Sequence, residues 1–225
     1  LPLGENGYVQ WAKNWSMYPY NLTVNSVMAI TFPTFSRLQS HPKQLRMAIE
    51  KSLFFITLAI FPILCGMVLF ISPLVELFPT YAKWQPAIPS FIFFTLSIAW
   101  SSISSPLTTA LTAIGKINYT LKLMVIWTIL TWVLSPLLLI WYGFGGIAAA
   151  ALIISFSSVM SVWYVKRFVE LQVWEQVWRQ LFAAIAMALV GLLGGSFWIR
   201  SIWWLLLGMG LTATTYASVL LLIGK

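Results

Sequence analysis

Long apolar runs separated by short polar links dominate the chain. Seven of them reach the roughly 20 residues that a helix needs to cross a hydrocarbon layer about 30 Å thick. They cover 7–37, 52–71, 86–112, 119–141, 146–165, 180–198 and 202–223. Prolines sit inside several of them, and Pro19 and Pro33 predict that the first is broken or bent, since each proline deletes one helical hydrogen bond. The pattern predicts an all-α integral membrane protein, a single transmembrane domain of seven helices over 1–225.

The first run departs from the others. At 100° per residue Gln10, Asn14, Asn21 and Asn25 fall within an arc about 60° wide, with Lys13 and Thr31 on its flank. An amide or ammonium facing hydrocarbon costs a few kcal/mol on insertion scales, so the arc should face protein or a water-filled cavity. It is the best candidate in the chain for a surface that touches polar cargo. Two other readings stand beside it: the amides join this helix to its neighbours, or Lys13 extends to the near interface.

In the third run Ser97, Ser101, Ser104, Ser105, Thr108 and Thr112 recur at spacings of three and four. The hydroxyl face serves close helix packing or forms a cavity wall, with Ser101 and Ser105 the candidates for substrate contact. Pro106 would bend this helix and free a carbonyl. Between the fifth and sixth runs, Val169, Val173 and Val177 line up as on an amphipathic helix lying in the interface.

Charge adds orientation. Taken alternately, one set of links holds Arg37, Lys43, Arg46, Lys51, Lys116, Lys122, Lys166, Arg167, Arg179 and Lys225, and the other holds only Lys83 and Arg200. Cytoplasmic links carry excess lysine and arginine, so the first run enters from the outer side and the C-terminus lies in the cytoplasm. That arrangement predicts a multi-pass protein of the cytoplasmic (inner) membrane. Trp84, Trp141, Trp174, Trp178, Trp198, Trp203 and Trp204 fall near predicted segment ends, as headgroup anchors do. A sugar-stacking role would suit Trp11, Trp15 and Trp100 better.

The chain is 60% hydrophobic and 8% charged, with a net charge of +8. Topology accounts for that charge, and no basic cluster on a soluble domain points to nucleic acid. Cys65 is the sole cysteine and His41 the sole histidine, a composition that suggests neither a metal site nor a disulfide. There is no aspartate, and Glu5, Glu50, Glu76, Glu170 and Glu175 all sit in links or at segment ends. Without paired carboxylates at membrane depth, the residues point away from an enzyme, and no cofactor is implied.

Several stretches, in order, carry a resemblance: LPLGENGYVQWAKNWSMYPY, ITFPTFSRLQSHPKQLRMAIEKSL, ELFPTYAKWQPAIPSF, SSISSPLTTALTAIGKINYTLKL and YGFGGIAAAALI. They resemble the second half of polysaccharide exporters of the multidrug/oligosaccharidyl-lipid/polysaccharide flippase superfamily, the O-antigen and colanic-acid type. FPTFSRL and KWQPAIP, Lys83 to Pro89, are the more telling pieces. The resemblance implies a fourteen-helix bundle in two lobes around a central cavity, with these runs as the eighth to fourteenth helices. It implies a transporter of polyprenyl-diphosphate-linked oligosaccharide for surface polysaccharide such as lipopolysaccharide. Its partners would be that lipid-linked substrate, membrane lipids and an absent first lobe, without which this stretch cannot alternate access. Lys13, the only basic residue inside its helix, would meet the diphosphate. A cation-coupled drug exporter of the same superfamily, or a fragment serving only as a packing partner, are the alternatives.

Overall fold

The computed structural model describes residues 3–223. Among these it is helical with no strands, in the order α1 (Leu3–Arg37), α2 (Pro42–Leu77), a 3-10 segment (Pro79–Ala87), α3 (Ile88–Ala113), α4 (Ile117–Tyr142), α5 (Gly145–Phe156), α6 (Val159–Lys166), α7 (Val173–Leu193), α8 (Gly195–Trp198) and α9 (Ile202–Ile223). Six stretches are long and apolar enough to cross a bilayer: α2, the 3-10 segment with α3, α4, α5 with α6, α7 and α9. The protein is a multi-pass membrane protein. α1, with 35 residues and a length of about 52 Å, is long enough but too polar to count with them.

Local chemistry sets the boundaries. Pro42 begins α2 and Pro79 begins the 3-10 segment, positions where a missing N–H costs nothing. Gly115 and Gly143 take positive φ, +76° and +60°, to turn the chain out of α3 and out of α4. Within α1, Pro19 and Pro33 leave the helix continuous rather than broken.

Two expectations need correcting. The 146–165 run is not one helix: it turns at Ser157–Ser158 between α5 and α6. Four serine hydroxyls there donate to carbonyls three residues back, Ser155 to Leu152 at 2.6 Å, Ser157 to Ile154 at 2.6 Å, Ser158 to Ser155 at 2.5 Å and Ser161 to Ser158 at 2.6 Å. These bonds favour a tightened 3-10-like turn over a straight α-helix. The second correction concerns 166–179, which is no interfacial helix. The chain from Phe168 to Gln172 is not helical, and α7 begins at Val173. Val169, Val173 and Val177 are buried in the main core.

α3 is the central element, packed against α1, α2, α4, α5 and α6. Small side chains make this possible: Ser90 and Ser102 are wholly enclosed and Thr95 nearly so. α4 is peripheral, with Leu121, Met124, Val125, Ile129, Val133 and Ile140 exposed as a lipid-facing side would be. The main core gathers Phe35, Leu45, Ile49, Leu111, Leu123 and Val165, so the ends of α1, α3 and α6 meet the beginnings of α2 and α4. Arg37, Lys43, Arg46, Lys51, Lys116, Lys122, Lys166 and Arg167 therefore share one end of the bundle. Lys225, counted with them in the sequence, lies outside the described residues. A smaller cluster of Val9, Ala12, Phe91, Phe94 and Ala148 closes the opposite half.

Trp198, expected at the headgroup level, is only 6% exposed. Its indole N–H donates to the Gly191 carbonyl at 2.8 Å, and the ring packs over Gly208 and beside Phe70. Trp84 is half-buried, stacked on Trp11 with centroids 5.2 Å apart and planes 9° from parallel. Trp141, Trp174 and Trp203 are exposed.

Candidate functional site

α1 divides two grooves of opposite character. Its buried positions Val9, Ala12, Ser16 and Val24 face the bundle, where close packing on α3 favours small or branched side chains. On one flank lies a polar groove of about 710 Å³, walled by α1, α3, α4 and the α5–α6 bend. On the other lies an apolar groove of about 630 Å³, lined by Trp11 and Trp15 of α1, Met67 and Phe70 of α2, Met187 of α7 and Met209 of α9.

The polar groove contains Gln10, Lys13, Ser101 and Ser105. It does not contain Asn14, Asn21 or Asn25, which lie exposed on the open side of α1. Asn25 donates its amide N–H to the Asn21 side-chain carbonyl at 3.0 Å, so these two amides partly satisfy one another. None of the five α1 residues is buried against a neighbouring helix. Within this chain the amides are therefore not packed against another helix.

Hydrogen bonding gives the groove its chemistry. Ser16 donates to the Lys13 carbonyl at 2.9 Å, Ser97 to that of Phe94 at 2.7 Å and Ser101 to that of Ser97 at 3.0 Å. A hydroxyl whose proton is used on its own helix still offers oxygen lone pairs, so these side chains can accept from a ligand O–H. Lys13 supplies the opposite function, three N–H donors and a full positive charge. No aspartate or glutamate lines the groove, and among the described residues Lys13 makes no ion pair. The arrangement suits a ligand with many hydroxyls and one anionic centre.

Several groove residues were not singled out in the sequence: Asn6, Ser16, Thr131, Ser135, Ser155 and Ser158. A signal existed, because Thr131 with Ser135 and Ser155 with Ser158 repeat at helical spacing. Three tryptophans were proposed for cavities. Trp11 and Trp15 line the apolar groove, whereas Trp100 packs edge-on against Phe156 at 5.4 Å and lines neither groove.

Comparison with known proteins gives two positive findings. Residues 4–89 match the family described as Polysaccharide biosynthesis protein, a stretch that includes the whole of α1 after Leu3 and all of α2. The fold is similar to that of the lipid II flippase MurJ in an inward closed conformation, with a TM-score of 0.75 over 98% of this chain at 18% identity. The chain spans 46% of that structure's length. Among curated proteins no relative has a significant match.

Proposed function

We infer that this chain is part of a polysaccharide-biosynthesis flippase, one lobe of a transporter that moves an oligosaccharide on a polyprenyl diphosphate carrier across the cytoplasmic membrane. The observation that carries this reading is the pair of unlike grooves on either side of α1. A lipid-linked oligosaccharide is itself divided between a polar, hydroxyl-rich, anionic head and an apolar tail. A protein that moves it must shield the head while the tail stays in an apolar setting, since a charged group in hydrocarbon costs several kcal/mol. The hydroxyl groove with Lys13 fits the head, and the tryptophan- and methionine-lined groove fits the tail.

Within the polar groove, Lys13 attracts the diphosphate as a compact point charge, and Gln10, Ser101 and Ser105 offer hydrogen bonds to sugar. Asn14, Asn21 and Asn25 line the open side of α1, on the path the head takes when a facing lobe is present. The basic end of the bundle marks the cytoplasmic side by the excess of lysine and arginine there. A cation-coupled drug exporter, the rival within the same architecture, would use a carboxylate in its cavity, and the groove lining supplies none.

The test is Lys13→Gln in the full-length protein. Surface polysaccharide should fall while the amount of protein in the membrane stays at the wild-type level. Normal polymer from a well-expressed variant would remove Lys13 from the mechanism.

A further inference from the structure

At the basic end of the bundle, three cations converge on a continuous group of aromatic rings. Tyr119 lies 5.1 Å from Tyr164 and 5.1 Å from Phe168, and Tyr164 lies 5.2 Å from Trp163. Over these rings sit Lys116, with its Nζ 4.9 Å from the Phe168 centroid, and Lys122, 5.6 Å from that of Tyr119. Arg167 stacks its guanidinium 3.6 Å over Trp163 and also reaches Tyr164 at 5.9 Å. Three elements contribute: the α3–α4 turn, the first turns of α4 and the end of α6. The turn depends on Gly115, whose φ of +76° brings Lys116 back over α6.

The cations are exposed and share no carboxylate. Among the described residues the one ion pair is Arg46 with Glu50, on α2. Glu170, three residues beyond Arg167, pairs with neither arginine nor lysine. Neither the Tyr119 nor the Tyr164 hydroxyl has a hydrogen-bond partner among the described residues, so both can donate. The faces of the rings hold the cations in place, and Trp163 is 54% exposed. Arg37, Lys43 and Lys51, at the same end, rest on no ring.

We propose that this cluster binds the phosphate headgroup of an anionic phospholipid of the adjoining leaflet, of the phosphatidylglycerol type. A phosphodiester needs fixed positive charge and a few donors at headgroup depth. Lys116, Lys122, Arg167 and the two phenol groups supply both, and an acyl chain can follow the exposed side of α4 from Leu121 through Val125 to Ile129. The site is separate from both grooves and holds whichever cargo they carry. By pinning a lipid across the α4–α6 corner, it ties to the membrane surface α4, which helps wall the polar groove, and α6, which continues from the bend that lines it.

The experiment compares nitroxide-labelled phosphatidylglycerol with nitroxide-labelled phosphatidylcholine on the full-length protein in phosphatidylcholine membranes, reading the motionally restricted fraction by electron spin resonance. Wild type should favour phosphatidylglycerol, and each removed charge should weaken that preference about fivefold. The triple variant Lys116→Gln, Lys122→Gln, Arg167→Gln should therefore lose it. Lys116→Arg, Lys122→Arg, Arg167→Lys keeps the charge and should keep the preference, which separates binding from folding. Arg37→Gln, Lys43→Gln, Lys51→Gln removes equal charge from the same end and should leave most of it. Equal loss in that control would mean diffuse charge rather than a site. No preference in wild type, or displacement of phosphatidylglycerol by lipid-linked diphosphate at equal concentration, would also overturn the proposal.

Discussion

Replacing Trp198 by alanine should loosen the α7–α9 hairpin that borders the apolar groove. The indole fills a space shaped by absent side chains: a Cβ on Gly208 would come within 2.7 Å of the ring, and one on Gly194 would overlap it. Phe70 and Leu205 complete the enclosure, and the ring is one of the links between α2, the end of α7 and α9. Removing a buried tryptophan forfeits about 3–5 kcal/mol of transfer and cavity energy. The bond to the Gly191 carbonyl contributes about 1 kcal/mol of that, since membrane hydrogen bonds are individually modest. Trp198→Phe should therefore cost only about 1–2 kcal/mol. For a domain of this size the alanine variant should unfold about 10 °C lower and the phenylalanine variant a few degrees lower. Thermal unfolding of the full-length protein in detergent, followed by size-exclusion chromatography, measures both. A shift under about 2 °C for Trp198→Ala would refute the idea that this ring holds the hairpin.

Other consequences follow from single contacts. Gly146→Ala would drive a methyl group into the Leu138 carbonyl of α4, so α5 must move away; the variant should lose about 1–3 kcal/mol and unfold earlier in the same assay. Glu50 accepts from Arg46 Nε at 2.9 Å and from the Gln172 backbone N–H at 3.0 Å, tying the start of α7 to α2. Glu50→Gln should cost about 1 kcal/mol and speed proteolysis between 167 and 172, with unchanged cleavage counting against that tie. The Ser105 hydroxyl has no hydrogen-bond partner within the described residues, so Ser105→Ala should leave stability within about 0.5 kcal/mol while lowering polysaccharide export. Unfolding temperature and surface polymer, measured on the same variant, decide it.

Much of the architecture was legible because hydropathy at membrane length is a strong signal. The 202–223 run coincides with α9, and 119–141 differs from α4 by only a few residues. What escaped was decided locally or by tertiary packing. The break at Ser157 depends on hydroxyls bending back to their own helix, which hydropathy does not register. The valines at 169, 173 and 177 have the spacing of a surface helix, yet they enter a core formed by distant residues such as Phe35 and Ile49. Trp198 reads as an interfacial anchor by position alone; its pocket comes from glycines on two other turns.

The candidate site was half legible for a related reason. Helical phase put Gln10, Asn14, Asn21 and Asn25 within one arc, but the groove meets α1 on the neighbouring arc of Asn6, Val9, Lys13, Ser16, Met17 and Tyr20. Gln10 lies at the edge of that arc, and Asn14, Asn21 and Asn25, turned about 20–60° further at 100° per residue, fall outside it. On the hydroxyl face of α3, Ser97, Ser101, Ser104, Ser105 and Thr108 line the groove and Thr112 meets the Thr120 hydroxyl of α4 at 3.2 Å, whereas the enclosed Ser102 and Thr95 lie on the other side of the helix.

Cysteine accessibility shows whether α1 borders a wet passage for a polar head. In full-length protein with Cys65→Ala, single cysteines at Asn6, Gln10 and Ser101 would be exposed to a water-soluble thiol reagent, with and without lipid-linked oligosaccharide. Rapid labelling is expected at all three, slowing when the substrate is added, while a cysteine at the lipid-facing Ile129 stays unlabelled. Unreactive cysteines at Asn6, Gln10 and Ser101, or labelling indifferent to substrate, would leave α1 without a wet passage beside it.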